Sequence, residues 1–275
     1  MRPGHGAGRH VSETSMAAET VTRYERRGRA AWITLDSPGN RNALSAPLVQ
    51  ELGRHLAAAI DDPAVRAVVL TGSGPTFCAG ADLRNRGDAV APGSGVRNPF
   101  VDILMRMWEA PKPVIVAVNG HAFGGGIGLV AAGDIAIAAD AAAFAFSEVR
   151  VGVIPAMISV VVLPKLGVNR TMRLFLTGQR FTAAQALEYG LLHRVVAPGE
   201  LAAAVEEEID AVCLGGPIAV ADAKRLVRTV ARLPMDQAFA YAEQKIAELF
   251  ASEEAAEGMG AFLGKRKPKW AEGRD

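Results

Sequence analysis

A run of glycines follows an apolar, strand-like stretch near the middle of the chain. The sequence NGHAFGGGIGLVAAGDIAIA at Asn119–Ala138 has glycine at positions 124, 125, 126 and 128. Glycine allows a backbone amide to approach a ligand closely, because no side chain intervenes. Small residues also follow an earlier strand-like run, in FCAGADL at Phe77–Leu83. One backbone N–H group from each segment could converge on a single oxygen atom and stabilise negative charge there, as in an oxyanion hole.

The glycine run is also compatible with two different roles. Gly126, Gly128 and Ala131 fit the dinucleotide-binding pattern G-x-G-x-x-A, with Asp140 after a later strand. The spacing disfavours this pattern, because a parallel crossover needs about a dozen residues and the next apolar run begins at Ile135. The glycines could also serve only to let a helix pack closely against a strand.

A carboxylate follows another strand-like run. Glu148 comes shortly after AFAF at Ala143–Phe146, where the end of a strand can direct a side chain into a cleft. A carboxylate in a cleft can transfer protons during a reaction. The alternative is a surface salt bridge between Glu148 and a cation such as Arg150.

Composition limits the classes of partner. The chain has 275 residues, half of them hydrophobic, which is enough for one large domain with at most a small appendage. Its 30 Lys and Arg balance 29 Asp and Glu, so we expect no nucleic-acid partner and no membrane partner. The two cysteines, far apart in sequence, predict a reducing, cytoplasmic location. We expect no metal site, because these residues lack ligand spacing: His55, Cys78, His121, His193 and Cys213.

Apolar runs and amphipathic segments predict an α/β core followed by helices. Buried strands are predicted at Ala30–Leu35, Ala67–Gly72, Val114–Gly120, Ile135–Ala139 and Ala143–Phe146. Between the first two, Ser45 as N-cap and apolar residues at spacing four predict a helix. Further helices are predicted at Phe100–Glu109, Asn169–Thr177, Thr182–Tyr189, Ala202–Cys213, Pro217–Val230 and Met235–Phe250.

Three regions follow from this pattern. We predict a flexible tail over residues 1–18, an α/β core over residues 19–200 and a helical C-terminal region over residues 201–275. Within the core, the Gly, Pro and Ser content of Arg84–Asn98 predicts a mobile loop or lid.

The chain carries four motifs in order: FCAGADL, PKPVIVAVNGHAFGGGIGLVAAGDIAIA, FAFSEVRVGVIP and EGMGAFLGKRKPKW. This ordered set resembles the enoyl-CoA hydratase/isomerase (crotonase) family from about Thr22 to Trp270. The resemblance implies an α/β fold, a crotonase-like spiral of ββα units with a helical C-terminal trimerisation region. It also implies an acyl-CoA substrate, no separate cofactor because coenzyme A is part of that substrate, and a homotrimer or a dimer of trimers.

Matched residue by residue, the resemblance implies roles for particular positions. The oxyanion-hole amides fall on Ala81 and Gly125, and the proton-transferring carboxylate falls on Glu148. Phe262 and Lys265 match residues that complete the nucleotide site, often from a neighbouring subunit. The full set of implied substrate and coenzyme A contacts is Arg41, Ala43, Leu44, Ala79, Ala81, Asp82, Leu83, Arg84, Gly125, Phe262 and Lys265.

The chain departs from the usual hydratase pattern at one position. Typical members carry a second glutamate two residues after the glycine run, where this chain has Gly128. One carboxylate suits a double-bond isomerase, whereas SEVRVGVIPAMIS at Ser147–Ser159 resembles bacterial hydratases acting on methylglutaconyl-CoA or carboxygeranoyl-CoA. We expect hydration of a 2-enoyl-CoA to a 3-hydroxyacyl-CoA, with isomerisation or acyl-CoA binding without turnover as alternatives. Gly128 would then make room for a branched or carboxylated acyl group.

Overall fold

The computed structural model of the protein describes residues 20–84 and 95–272. The predicted tail, residues 1–18, and most of the predicted loop at Arg84–Asn98 lie outside this range. Strands of the described residues lie between residues 22 and 196, and helices fill most of residues 201–263. The predicted boundary at residue 200 coincides with this change, and the division into separate domains stays a prediction.

Ten strands of the described residues form two sheets: Thr22–Arg27 (β1), Ala30–Leu35 (β2), Ala67–Gly72 (β3), Thr76–Cys78 (β4), Val114–Val118 (β5), His121–Phe123 (β6), Ile135–Ala139 (β7), Ala143–Ala145 (β8), Phe181–Thr182 (β9) and Arg194–Val196 (β10). The larger sheet has the order β1-β2-β3-β5-β7-β10. Only the β1–β2 pair in it is antiparallel. Its middle strands are buried on both faces, which explains their continuous runs of Val, Ile, Leu and Ala.

The smaller sheet is built from strands that directly follow strands of the larger one. β4 follows β3, β6 follows β5 and β8 follows β7, and these three short strands are parallel to one another. β9 pairs antiparallel with β8. Because carboxyl ends of parallel strands meet at one edge of a sheet, the chain segments after β4, β6 and β8 emerge together. These segments carry FCAGADL, the glycine run and Glu148.

Nine helices of the described residues surround the sheets: Ala46–Asp61 (α1), Pro99–Glu109 (α2), Gly125–Ala132 (α3), Ala156–Thr177 (α4), Ala183–Glu188 (α5), Leu201–Leu214 (α6), Pro217–Val230 (α7), Met235–Phe250 (α8) and Glu253–Leu263 (α9). Short polar side chains cap several of them, including Ser45, the N-cap that the sequence predicted. Ser45 caps α1 and Thr182 forms a capping box with Gln185 at α5. α1, α3 and α5 pack against the larger sheet, and α2 and α4 join the same apolar core through α1 and α3. α6 packs on the opposite face of the larger sheet.

The predicted elements agree with the structure except where local signals are weak or interrupted. The helix predicted at Asn169–Thr177 is the second half of α4, which begins at Ala156. Pro164 and the non-helical Gly167 (φ 70°, ψ 166°) interrupt α4, so the prediction missed its first half. β1, β4, β6, β9 and β10 were not predicted, because they are short or carry charged residues.

The helix α7 is anchored to the core by a buried group of charges. Asp134 pairs with Lys224 Nζ at 2.7 Å and with Arg228 Nη2 at 2.6 Å. Its carboxylate also accepts a hydrogen bond from Val114 N at 2.8 Å. Arg228 lies over the Trp108 ring, 4.0 Å from the ring centroid. The Asp134 carboxylate therefore ties the turn before β7 to β5 and also holds α7 in place.

Candidate active site

The segments after β4 and β6 lie against each other at Gly80. This residue has φ 88°, and a Cβ atom built on it would lie 2.8 Å from Phe123 O and 3.3 Å from Gly125 N. Only glycine allows this backbone conformation and this close an approach without strain. The structure therefore places FCAGADL beside the glycine run.

Two backbone amides beside this contact have free hydrogens. Within residues 20–84 and 95–272, neither Ala81 N nor Gly125 N has a hydrogen-bond acceptor. Ala81 is bridged to Leu44, but the hydrogen bond in that bridge runs from Leu44 N to Gly80 O at 2.8 Å. Gly125 is the first residue of α3, so its amide has no acceptor in the helix and lies at the positive end of the helix dipole. Both amides can therefore donate to a ligand.

Glu148 lies beside the same glycines. It begins a 3-10 helix, Glu148–Val151, shortly after β8. Gly124 N donates to Ala145 O at 3.0 Å, which ties the glycine run to the strand that precedes Glu148. A Cβ atom built on Gly124 would lie 2.9 Å from Glu148 Oε1. The carboxylate thus packs on bare backbone one residue before the Gly125 amide.

The surroundings of Glu148 suit a proton carrier. Its Oε2 is buried without a hydrogen-bond partner among the described residues. Burial raises the pKa of Glu148, and a hydrogen bond with its own backbone acts in the opposite direction. No ion pair to Glu148 occurs in that part of the chain, and Arg150 instead donates to Thr177 O at 3.3 Å. The alternative of a salt bridge between Glu148 and Arg150 is therefore wrong.

The remaining glycines of the run serve close packing. A Cβ atom on Gly126 would lie 2.5 Å from Cys78 O, and one on Gly128 would lie 2.3 Å from Ile158 Cγ2. These two glycines face protein atoms, so they leave no room for a pyrophosphate. The helix that they begin, α3, has only 8 residues before the chain enters β7. This arrangement does not support the dinucleotide-binding pattern.

An apolar group lies next to Gly125 and Gly128. A Cβ atom on Gly125 would lie 2.5 Å from Leu44 Cδ1 and 3.5 Å from Phe100 Cζ. Phe100 and Ile158 are only 7% and 3% exposed, and together they fill the space above Gly128. The expectation that Gly128 makes room for part of the substrate is therefore wrong, because Ile158 already occupies that space. We call Leu44, Phe100 and Ile158 the apolar wall.

Most of the predicted substrate and coenzyme A contacts lie in two segments, residues 41–44 and 79–84, which run side by side. Ala79 N donates to Arg41 O at 3.1 Å, Leu44 N donates to Gly80 O at 2.8 Å, and Leu44 forms an isolated bridge with Ala81. We call residues 76–81 the Ala81 strip. Arg41 and Arg84 are exposed, and Arg84 N donates to Asp82 Oδ1 at 3.1 Å. Among the other predicted contacts, Ala43 is buried and Leu83 is 52% exposed.

Comparison with known proteins identifies the chain. The sequence profile of the family described as Enoyl-CoA hydratase/isomerase matches residues 25–273. This chain belongs to that family. It is 35% identical over 250 residues to a carnitinyl-CoA dehydratase from Proteus mirabilis, with 89% of this chain and 95% of that protein covered.

Solved structures of the family have the same fold. An enoyl-CoA hydratase from Shewanella pealeana matches with a TM-score of 0.86 at 32% identity, covering 91% of this chain and 96% of that chain. An enoyl-CoA hydratase/isomerase from Marinobacter aquaeolei matches with a TM-score of 0.84 at 34% identity, covering 92% and 99%. The predicted crotonase fold is confirmed. The chain is an enzyme with the hydro-lyase chemistry of the enoyl-CoA hydratase/isomerase family.

Two of the predicted contacts lie at the C-terminal end of α9. Phe262 is 84% exposed, and Lys265 is exposed with a left-handed backbone, φ 51°. A ring this exposed does not pack into the site of its own chain. Their role at the nucleotide stays a prediction.

Sequence reasoning missed Asn42, Phe100 and Ile158. Asn42 lies between the predicted contacts Arg41 and Ala43 but has no predicted role, and nothing local distinguishes Phe100 or Ile158 from other core residues. Among the described residues, no group of three or more His, Cys, Asp or Glu could hold a metal ion. That part of the chain also contains no helix long and apolar enough to cross a membrane.

Proposed function

We propose that this enzyme hydrates a 2-enoyl-CoA to a 3-hydroxyacyl-CoA, and catalyses the reverse dehydration, with one carboxylate. The observation that carries the proposal is the position of Glu148, packed on Gly124 beside the free amide of Gly125. The dehydratase name of the Proteus mirabilis relative supports this reaction class.

Ala81 N and Gly125 N form the proposed oxyanion hole. Addition of water to the double bond places negative charge on the thioester oxygen, and two positioned N–H donors stabilise that charge. The close approach of Gly80 to Gly125 N supports this pairing, because it places the two segments side by side. The N-terminal end of α3 adds a favourable field.

Glu148 then acts as both base and acid. Its carboxylate takes one proton from water while the oxygen of that water bonds to the β-carbon and the double-bond electrons move to the thioester oxygen. The protonated Glu148 next gives this proton to the α-carbon, and the enolate electrons form the new C–H bond. The raised pKa of Glu148 favours this cycle, because the neutral acid must exist between the two steps.

A panel of acyl-CoA thioesters tests the proposal. The panel contains straight-chain 2-enoyl-CoA, 3-enoyl-CoA, a carboxylated enoyl-CoA such as methylglutaconyl-CoA, and carnitinyl-CoA. Gain or loss of water, followed by mass and by absorbance of the conjugated thioester, supports hydro-lyase activity. Tight binding of every member without change in mass or absorbance would instead support the carrier alternative.

Double-bond isomerisation is the second candidate, and the apolar wall favours it. With Ile158 above Gly128, no second carboxylate faces the site from that position. One base is sufficient to move a proton from the α-carbon to the γ-carbon. A change of absorbance without change of mass on the 3-enoyl-CoA member identifies this activity.

Introducing an acid at the apolar wall should reduce activity. In Gly128→Glu the new Cβ would lie 2.3 Å from Ile158 Cγ2, so α3 or α4 must shift beside the catalytic amide. We expect a loss of about 10²-fold in turnover, the effect of roughly 1 Å of misplacement. Steady-state rates on the best substrate of the panel measure this loss.

A compensating substitution separates steric conflict from charge. Ile158→Ala removes the 2.3 Å contact but keeps the Cβ atom, 3.1 Å away. We expect Gly128→Glu/Ile158→Ala to recover part of the lost turnover. The turnover of Ile158→Ala alone should be close to that of the native enzyme. A double variant no better than Gly128→Glu would show that Ile158 is not the obstacle.

A homotrimer or a dimer of trimers is proposed for the solution state. On α8, Met235, Phe239 and Ile246 are 77%, 65% and 52% exposed, and α4 exposes Val160 and Met172. Exposed apolar side chains along two helices favour association with further copies of the chain.

Sedimentation at micromolar concentration measures this state. We expect three or six times the mass of the chain, and a lower mass for Phe239→Asp/Ile246→Asp. Glu243→Lys changes the charge at an exposed residue of the same helix and should leave the mass unchanged. A monomeric native enzyme would contradict the proposal.

Coenzyme A recognition and location remain proposals. Arg41 and Arg84 are exposed beside the Ala81 strip and can bind phosphate groups, with Phe262 and Lys265 acting from a neighbouring copy. Cys78 and Cys213 are both free and buried, which suits the proposed reducing cytoplasm.

A further inference from the structure

Asn42 makes an unusual set of contacts for a polar side chain. It is 0% exposed and lies in the left-handed region, with φ 54°, directly after Arg41, with φ 60°. Its Oδ1 accepts from Ser37 N at 2.8 Å, and its Nδ2 donates to Ser73 O at 3.0 Å and Thr76 O at 2.8 Å. One carboxamide therefore satisfies three backbone groups from two turns.

These contacts converge on the strip that carries Ala81. Thr76 is the first residue of β4, which continues into Ala79, Gly80 and Ala81. The turn of Asn42 also holds this strip directly, through Arg41 O with Ala79 N and Leu44 N with Gly80 O. Residues 41, 42 and 44 thus form hydrogen bonds at three points of the strip. Asn42 fixes the first residue of the strip, Thr76, and also the turn at Ser37 that precedes residues 41–44.

The backbone conformation and the three hydrogen bonds at position 42 explain why this residue is asparagine. A non-glycine residue with positive φ is uncommon, and asparagine is among the side chains that tolerate it best. The same position needs one acceptor and two donors in a buried place, which a carboxamide supplies and a carboxylate does not. Glycine would keep the backbone conformation but leave Ser37 N, Ser73 O and Thr76 O without these partners.

We propose that Asn42 is a positioning residue for the oxyanion hole: it sets the place of the Ala81 amide without touching the substrate. The proposal rests on the proposed function, since it assigns Asn42 a task only if Ala81 N donates to the thioester oxygen. Asn42 acts through the strip Thr76–Ala81, so its loss should change how strongly that oxygen is polarised.

Asn42→Gly tests this role, with cinnamoyl-CoA as probe. Polarisation of a conjugated thioester by N–H donors shifts its absorbance to longer wavelength, so the shift on binding reports the donors themselves. We expect the native enzyme to show the shift and Asn42→Gly to lose most of it. Turnover should fall by roughly 10- to 100-fold, the range for misplacement near 1 Å, with KM changed less than about threefold.

Glu51→Ala is the matched control. Glu51 Oε2 also accepts from three groups, Val21 N, Thr22 N and Thr22 Oγ1, at 2.9–3.0 Å, but these groups lie at the start of the edge strand β1. Glu51→Ala should lower the thermal midpoint of unfolding, yet preserve turnover and the absorbance shift of the bound probe. Equal losses in both variants would give Asn42 a purely structural role and overturn the proposal.

The remaining outcomes separate the two proposals. A native enzyme that binds the probe without a shift contradicts the oxyanion hole itself, before any variant is considered. A native shift that Asn42→Gly retains, with normal turnover, overturns the role of Asn42 alone.

Asn42→Asp keeps the test decisive if the glycine variant does not fold. It preserves shape and the acceptor for Ser37 N but loses the donors. At lower pH the protonated carboxyl of Asn42→Asp regains one donor. The turnover of this variant relative to the native enzyme should therefore rise as pH falls. A ratio independent of pH, with the native absorbance shift, would contradict the proposal.

Discussion

Replacing Glu148 by glutamine should reduce turnover by roughly 10²- to 10⁴-fold, the contribution of a positioned general base. Glutamine keeps the size of the side chain and its packing on Gly124, but it cannot accept a proton. Acyl-CoA affinity should change little, since we assign binding to the backbone amides of Ala81 and Gly125 and to the predicted coenzyme A contacts, not to Glu148. Rates and binding of a nonreactive acyl-CoA thioester measure the two effects separately.

Glu188→Gln makes the same chemical change at an exposed residue at the end of α5 and should leave the rate unaltered. Native hydration and isomerisation rates in Glu148→Gln would show that Glu148 does not transfer the proton, and we assign that role to no other carboxylate of the site. Acyl-CoA binding without turnover would then be the better description of the protein.

The pH dependence of both rate and stability follows from the pKa of Glu148. Burial raises the pKa of Glu148 above the ordinary 4.5, so the hydration rate should fall as pH decreases through a pKa higher than 4.5.

The same raised pKa affects stability. Between pH 4.5 and the raised pKa, the folded state binds more protons than the unfolded state, so the contribution of Glu148 to stability decreases as pH rises through that window. Glu148→Gln should therefore be the more stable protein above the window and lose that advantage below it, as measured by urea unfolding.

Removing the amide of Gly125 should cost about 10²- to 10³-fold in turnover, equivalent to about 2.7–4 kcal/mol for one oxyanion donor. Gly125→Pro removes the N–H group at the first position of α3, where proline is tolerated and no intrahelical bond is lost. The fold should therefore persist, which circular dichroism and the thermal midpoint can check.

Gly125→Ala is the control that isolates the amide. Both variants introduce a Cβ atom that would lie 2.5 Å from Leu44 Cδ1, the end of a flexible side chain, but only proline removes the donor. Gly124→Ala, which also keeps its amide, is unsuitable because Gly124 has φ 48° and its Cβ would lie 2.9 Å from Glu148 Oε1. Equal rates for Gly125→Pro and Gly125→Ala would falsify the assignment of this amide.

The sequence alone predicted the longer strands and helices of the fold, but not the short strands β4 and β6 that lead into FCAGADL and the glycine run. Continuous apolar runs marked β2, β3 and β7 with their observed bounds, and periodic helices such as α7 and α8 were equally clear. Such patterns record local burial along the chain, so they do not require knowledge of distant residues. The ordered motifs also indicated the family, the glycine run and the carboxylate Glu148.

Only the tertiary structure decided what each glycine of the run does. Gly125 exposes an amide, Gly124 supports Glu148, and Gly126 and Gly128 allow close packing against Cys78 and Ile158. The roles of Ile158 and Asn42 depend in the same way on contacts between distant segments, such as the bond from Asn42 to Thr76, which are 34 residues apart. A hydrophobic or glycine-rich pattern specifies that a residue is buried or unhindered, but the atoms that it meets are set by how separate segments pack together.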